Sequence, residues 1–127
     1  MKEIEELQIY QKYLDLMYYI NMITKKYPKS ERFALVTELK RVTYDGMECI
    51  LYCYKSYDRI EKLKYLNALD VKLKMMKVLA RLSYKNQYIS ARNYDAWCRK
   101  MLDISNMMGK MEIVDIHLRL WLILFNS

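Results

Sequence analysis

LNALDVKLKMMKVLARLSYK, residues 66–85, decides the fold. Leu66, Leu69, Leu73, Met76 and Ala80 recur at three- and four-residue spacing. On a wheel of about 100° per residue they fall on one stripe, the kind a helix buries against a core. Lys74, Lys77, Arg81 and Lys85 fall within roughly 80° of one another on an adjacent face. Met75, Val78, Leu79 and Leu82 make a further apolar strip on the other side of that basic ridge. A bundle helix needs one apolar stripe, and this helix has two, flanking a row of cations.

Working outward, the helical period continues. Residues 4–26 read as a helix with two stripes of its own: Leu7, Tyr10, Leu14, Met17 and Asn21, and Ile9, Tyr13, Leu16, Ile20 and Ile23. Pro28 disfavours helix at Tyr27 and marks a break. Ser30 can then cap a second helix over residues 31–55, with Leu35, Leu39, Val42, Gly46, Cys49 and Cys53 on one face. Gly46 costs a mid-helix position about 1 kcal/mol against Ala, which predicts a close helix crossing there. Asp58 and Glu61 have capping-box spacing ahead of the third helix. Ser90 suits the cap of a fourth, expected to end near Gly109. Four long helices on short connections predict an all-α, up-down-up-down four-helix bundle over residues 1–111. Residues 112–127 are an apolar tail rather than a second domain. Its run of alternating Leu and Ile suits a strand by period, yet Leu favours helix and no strand partner lies near. Covering that run predicts that it folds back onto its own bundle or a neighbouring subunit.

Composition narrows the function. The 127-residue chain holds two Gly and one Pro, so Gly-rich phosphate loops are excluded. Residues 1–54 carry eight Lys/Arg and eight Asp/Glu, residues 55–100 twelve against four, and residues 101–127 two against three. The net +7 therefore arises in one part of the chain, as a patch facing a polyanion or as a solvated helical face. Cys49, Cys53 and Cys98 lack metal-ligand company and read as reduced, mostly buried thiols of a cytoplasmic protein. The one histidine, His117, completes no Glu-x-x-His pair, so neither a metal nor a cofactor is expected. Glu38 and Asp45 share a helix face and could do acid–base work, but such residues more often pair with Lys and Arg. Tyr84, Tyr88 and Tyr94 near the basic region could stack on bases, with packing the favoured use. No apolar stretch is long enough to cross a membrane. An isolated monomer would leave the second strip of helix 3 wet, so Met75, Val78, Leu79 and Leu82 either pack against another subunit or widen the bundle core.

Two stretches carry a resemblance. IYQKYLDLMYYINMITKKYPKSERFALVTELKR, residues 9–41, is similar to the first helical hairpin of a family of small bacterial four-helix bundles. That family includes proteins encoded in 23S rRNA intervening sequences and the accessory variability determinant (Avd) of diversity-generating retroelements. The turn KKYPKSERFAL carries the family's aromatic-Pro-Lys-x-x-Arg-Phe-x-Leu pattern. LDVKLKMMKVLARLSY and MLDISNMMGKM resemble the third helix and the end of the fourth in the Avd branch. ELKRV and ILYCYKS depart from the rRNA-associated branch, which leaves Avd the nearer relative. The resemblance covers about residues 7 to 111 and does not reach the tail. It implies a homo-oligomeric, pentameric ring that binds the retroelement reverse transcriptase together with RNA and DNA. Lys74, Lys77, Arg81 and Lys85 would be its nucleic-acid contacts; Arg92 is a further candidate, and Arg32, which matches the turn pattern, would contact phosphate or form a structural ion pair. The alternative is an oligomeric scaffold whose basic face docks an acidic protein without nucleic acid. Neither reading is an enzyme.

Overall fold

In the computed structural model the backbone is described for residues 3–126 and the side chains for residues 7–111. Four helices follow in order, α1 (Glu3–Thr24), α2 (Leu35–Lys55), α3 (Arg59–Lys85) and α4 (Ala91–Asn126), and no strand occurs among the described residues. α1 packs on α2 and α4, and α3 packs on α2 and α4, so the four helices enclose one core.

The connections follow from their residues. Pro28 opens a 3-10 turn over Lys29–Glu31, closed by N–H donations from Glu31 to Pro28 and from Arg32 to Lys29. This tight turn delays α2 to Leu35, four residues later than the expected start, and Ser30 lies inside the turn instead of capping the helix. Thr37 ties the start of α2 back to the turn through a 2.7 Å hydroxyl donation to the Arg32 carbonyl. The other two caps stand where the sequence put them. The Asp58 carboxylate accepts from the Ile60 N–H at 3.3 Å, and the Ser90 hydroxyl accepts from the Asn93 N–H at 3.1 Å. Between α3 and α4 the chain turns through Gln87 at φ 62°, a left-handed conformation.

Ile9, Tyr13, Leu16, Ile20 and Ile23 are the face of α1 that enters the core, meeting Leu39, Val42, Leu66, Leu69, Met76, Trp97 and Ile104. The stripe headed by Leu7 is the outer one. The close crossing predicted at Gly46 is present: a Cβ there would stand 2.7 Å from Cζ of Tyr13. It is the Tyr13 ring that occupies the space, and its hydroxyl donates to the Thr43 carbonyl at 2.6 Å.

One boundary is corrected. α4 does not stop at Gly109 but runs unbroken to Asn126, and nothing among the described residues lies within 4 Å of where a Gly109 Cβ would be. A glycine ends a helix only if the chain takes a left-handed turn there, and Gly109 does not have positive φ. The tail is therefore helix, with no turn at which it could fold back. Its side chains, His117 among them, lie outside the described residues.

Candidate nucleic-acid interface

The site is built on the C-terminal half of α3. The Leu66–Ala80 stripe seats the helix on the core, which aims the ridge a quarter-turn away, along the groove shared with α4. Lys74, Lys77, Val78 and Arg81 line one wall of that groove, and Tyr94 and Cys98 line the other. It continues along the helices past Asp70, Met101, Leu102 and Ser105.

The four cations are not equivalent. Lys74 is held by Asp70 one turn earlier. Lys77, Arg81 and Lys85 are exposed, and none has a carboxylate partner among the described residues. Like charges four residues apart repel. Lys85 is compensated in part by the carbonyl end of the helix dipole, in whose last turn it sits. Lys77 is too far from that end for the same compensation.

The ring of Tyr84 stacks on that of Tyr94, centroids 4.9 Å apart and planes inclined by 10°, at the end of the groove. Burial, followed by the Cys98 thiol, raises the Tyr94 hydroxyl above the usual tyrosine value, and nearby Arg81 opposes the shift. Tyr88 is used otherwise. Its ring tilts against Tyr27 at 5.4 Å and its hydroxyl donates to the Glu31 carboxylate at 2.6 Å. Those contacts join the α1–α2 turn to the α3–α4 connection and place both at the same end of the bundle.

Arg92 is exposed in the first turn of α4 at that end. Arg32 is there too, but it lines a separate hollow with Lys25, Lys29 and Lys40, away from the ridge. The apolar strip also divides. Met75 (41% exposed), Val78 (59%) and Leu82 (47%) face outward, whereas Leu79, at 6%, is turned into the core and leaves the strip. Leu79 points between the outer face and the Leu66–Ala80 stripe, and contact with the core draws it inward. Val71, 62% exposed, takes its place and was missed. The signal was present, since positions 71, 75, 78 and 82 hold the 4-3-4 spacing of a helix seam.

Glu38 and Asp45 flank Arg41 at 2.7 and 3.4 Å, and Asp45 also reaches Lys72 at 3.5 Å. The Arg41 guanidinium bonds the Glu38 carboxylate and holds its pKa below the usual range. These acids are ion-paired at the surface rather than set out as an acid–base pair. Among the described residues no cluster of His, Cys, Asp and Glu could hold a metal, and no helix is long and apolar enough to cross a membrane.

A solved structure, described as a protein of unknown function from the S23 ribosomal protein family of Bacteroides thetaiotaomicron, has this fold. It matches with a TM-score of 0.75 at 13% identity, over 84% of this chain and 96% of that one. No curated protein matches the sequence. The sequence matches the family described as bAvd-like over residues 7–113. That span takes in the core and both walls of the groove, and on it this chain belongs to the bAvd-like family.

Proposed function

We propose that this chain is a non-enzymatic accessory subunit of a retroelement reverse transcriptase, cytoplasmic, binding RNA and DNA along Lys77, Arg81 and Lys85. The accessory role is supported by family membership together with the resemblance of the turn and third helix to Avd. One observation carries the nucleic-acid reading: a row of exposed cations without carboxylate partners among the described residues lines a groove that ends in stacked tyrosines. Lysine and arginine unpaired in the free protein are available to neutralise phosphates. Contacts to phosphate carry no sequence information, so binding along the ridge tolerates many sequences.

Short connections between helices that pack in sequence favour up-down-up-down topology. The exposed seam Val71, Met75, Val78 and Leu82 supports assembly, and in a ring, five copies being the expected number, the ridge recurs once per subunit.

The test is nucleic-acid affinity measured across a salt series. Neutralised phosphates release counterions, so log affinity falls steeply with log salt. Lys77→Ala with Arg81→Ala shallows that slope by roughly one unit for each phosphate no longer neutralised, with the melting temperature unchanged. A double variant that binds as the parent does at every salt concentration sinks the proposal. Binding only to acidic proteins returns the scaffold alternative.

A further inference from the structure

The hollow at the α1–α2 turn is a second basic site. It is an open pocket of about 530 Å³, and four cations converge on it from three pieces of chain: Lys25 at the end of α1, Lys29 and Arg32 in the turn, and Lys40 in α2. Val36 and Tyr27, both buried, line it as well, with Asn21 and Thr24. No carboxylate is among the described residues that line it. None of the four cations has an ion-pair partner among the described residues. The acids that could neutralise it are engaged elsewhere. Glu31, the one acid of the turn, reaches across the bundle end to accept a hydrogen bond from the Tyr88 hydroxyl. Glu38, the next in sequence, is bonded to Arg41 at 2.7 Å.

The backbone that carries the cations is fixed. The turn is closed by N–H donations from Tyr27 to Thr24 (3.1 Å), Glu31 to Pro28 (3.0 Å) and Arg32 to Lys29 (3.1 Å), and Thr37 donates to the Arg32 carbonyl. Four like charges gathered in a concavity repel one another, and a dense anion relieves that repulsion. A nucleic-acid strand spaces single charges along its length. A terminal di- or triphosphate packs several into one compact chain, and the guanidinium of Arg32 matches two of its oxygens at once.

We propose that this pocket binds a terminal oligophosphate, carried either by a free nucleotide or by the 5′ end of an RNA. It is separate from the α3 ridge and does not depend on that ridge binding nucleic acid.

The experiment is calorimetric titration of the full chain with inorganic tripolyphosphate, ATP, and one short RNA bearing either a 5′-triphosphate or a 5′-hydroxyl. Tripolyphosphate is expected to bind the parent. Arg32→Ala with Lys40→Ala weakens it about tenfold or more, the loss expected for removed charge-assisted hydrogen bonds. Lys77→Ala with Arg81→Ala leaves it unchanged. A gain of the triphosphorylated RNA over its hydroxyl twin, abolished in the Arg32/Lys40 variant, assigns the RNA end. ATP binding without that gain assigns the free nucleotide. The proposal is overturned if tripolyphosphate does not bind, or if both double variants weaken it equally, which would mean general attraction to a basic protein. Loss of salt-dependent RNA binding in the ridge variant alone concerns only the α3 reading.

Discussion

Tyr13 and Gly46 show how one side chain fixes a helix pair. The phenol lies fully buried between α1 and α2, in the space left by the missing Cβ of Gly46. Gly46→Ala forces the ring aside and is expected to cost about 1–3 kcal/mol, as overpacked cores do. Gly109→Ala meets nothing among the described residues and is expected to gain up to about 1 kcal/mol of helix propensity. Denaturant midpoints of the two variants, moving in opposite directions, check the pair. Burial above all, then the charges of Cys49 and Asp45, push the Tyr13 hydroxyl far above its ordinary pKa of 10.0. Burial also raises Tyr27. A hydroxyl that holds its proton more tightly when folded contributes stability below its unfolded value and loses it as pH rises past that value. The contribution of these two tyrosines should therefore be level up to about pH 10 and fall above it. Tyr13→Phe should flatten part of the fall, and an unaltered alkaline profile in that variant rules Tyr13 out as its origin.

At the scale of the element, α3 carries three faces: a buried one, a cationic one along α4, and an apolar one that nothing among the described residues covers. Leu79 and Val78, neighbours in sequence, should respond in opposite ways. Leu79→Ala removes a core side chain and should cost about 2–5 kcal/mol. Val78→Asp changes a 59% exposed residue and should leave the fold intact while disrupting assembly. Light scattering after gel filtration reads the second effect as a fall in mass toward 15.5 kDa. If Val78→Asp keeps the parent's mass, the seam is not the interface. Most of α3 was legible in advance because its stripes repeat within a few residues. Leu79 left the outer strip because it sits at that strip's edge, and an edge is settled by what packs beside it. The start of α2 was missed for a different reason: a 3-10 turn and the first turn of an α-helix accept the same residues, Ser30 and Glu31 included.

The whole molecule is polarised by charge. Residues 1–54 are neutral in sum, yet Lys25, Lys29 and Arg32 stand at the bundle end that Lys85 and Arg92 also occupy, brought there by the Tyr27–Tyr88–Glu31 contacts. At 1.5 Å per residue α4 is roughly 54 Å long against roughly 33 Å for α1. At the opposite end Met111 of α4 packs beside Ile9 and Cys53, and the helix continues past it to Asn126. A lone helical segment of about 15 residues is marginal in water without a partner. Deleting residues 113–127 should leave the thermal melt of the bundle unchanged and lower the oligomeric mass. Loss of the bundle itself on truncation would show that the tail belongs to the core.

The sequence by itself determined four helices, two of their caps, the face α3 gives to the core, and the basic ridge. These depend on periods and caps that span a few residues, and a local pattern can be read locally. Tertiary structure alone decided that Glu31 turns away from the cations of its own turn, that Arg32 belongs to a pocket and not to the ridge, and that α4 passes through Gly109. Each of these depends on groups far apart in the chain or on which of several allowed backbone conformations the packing selects. Spacing along a sequence records neither.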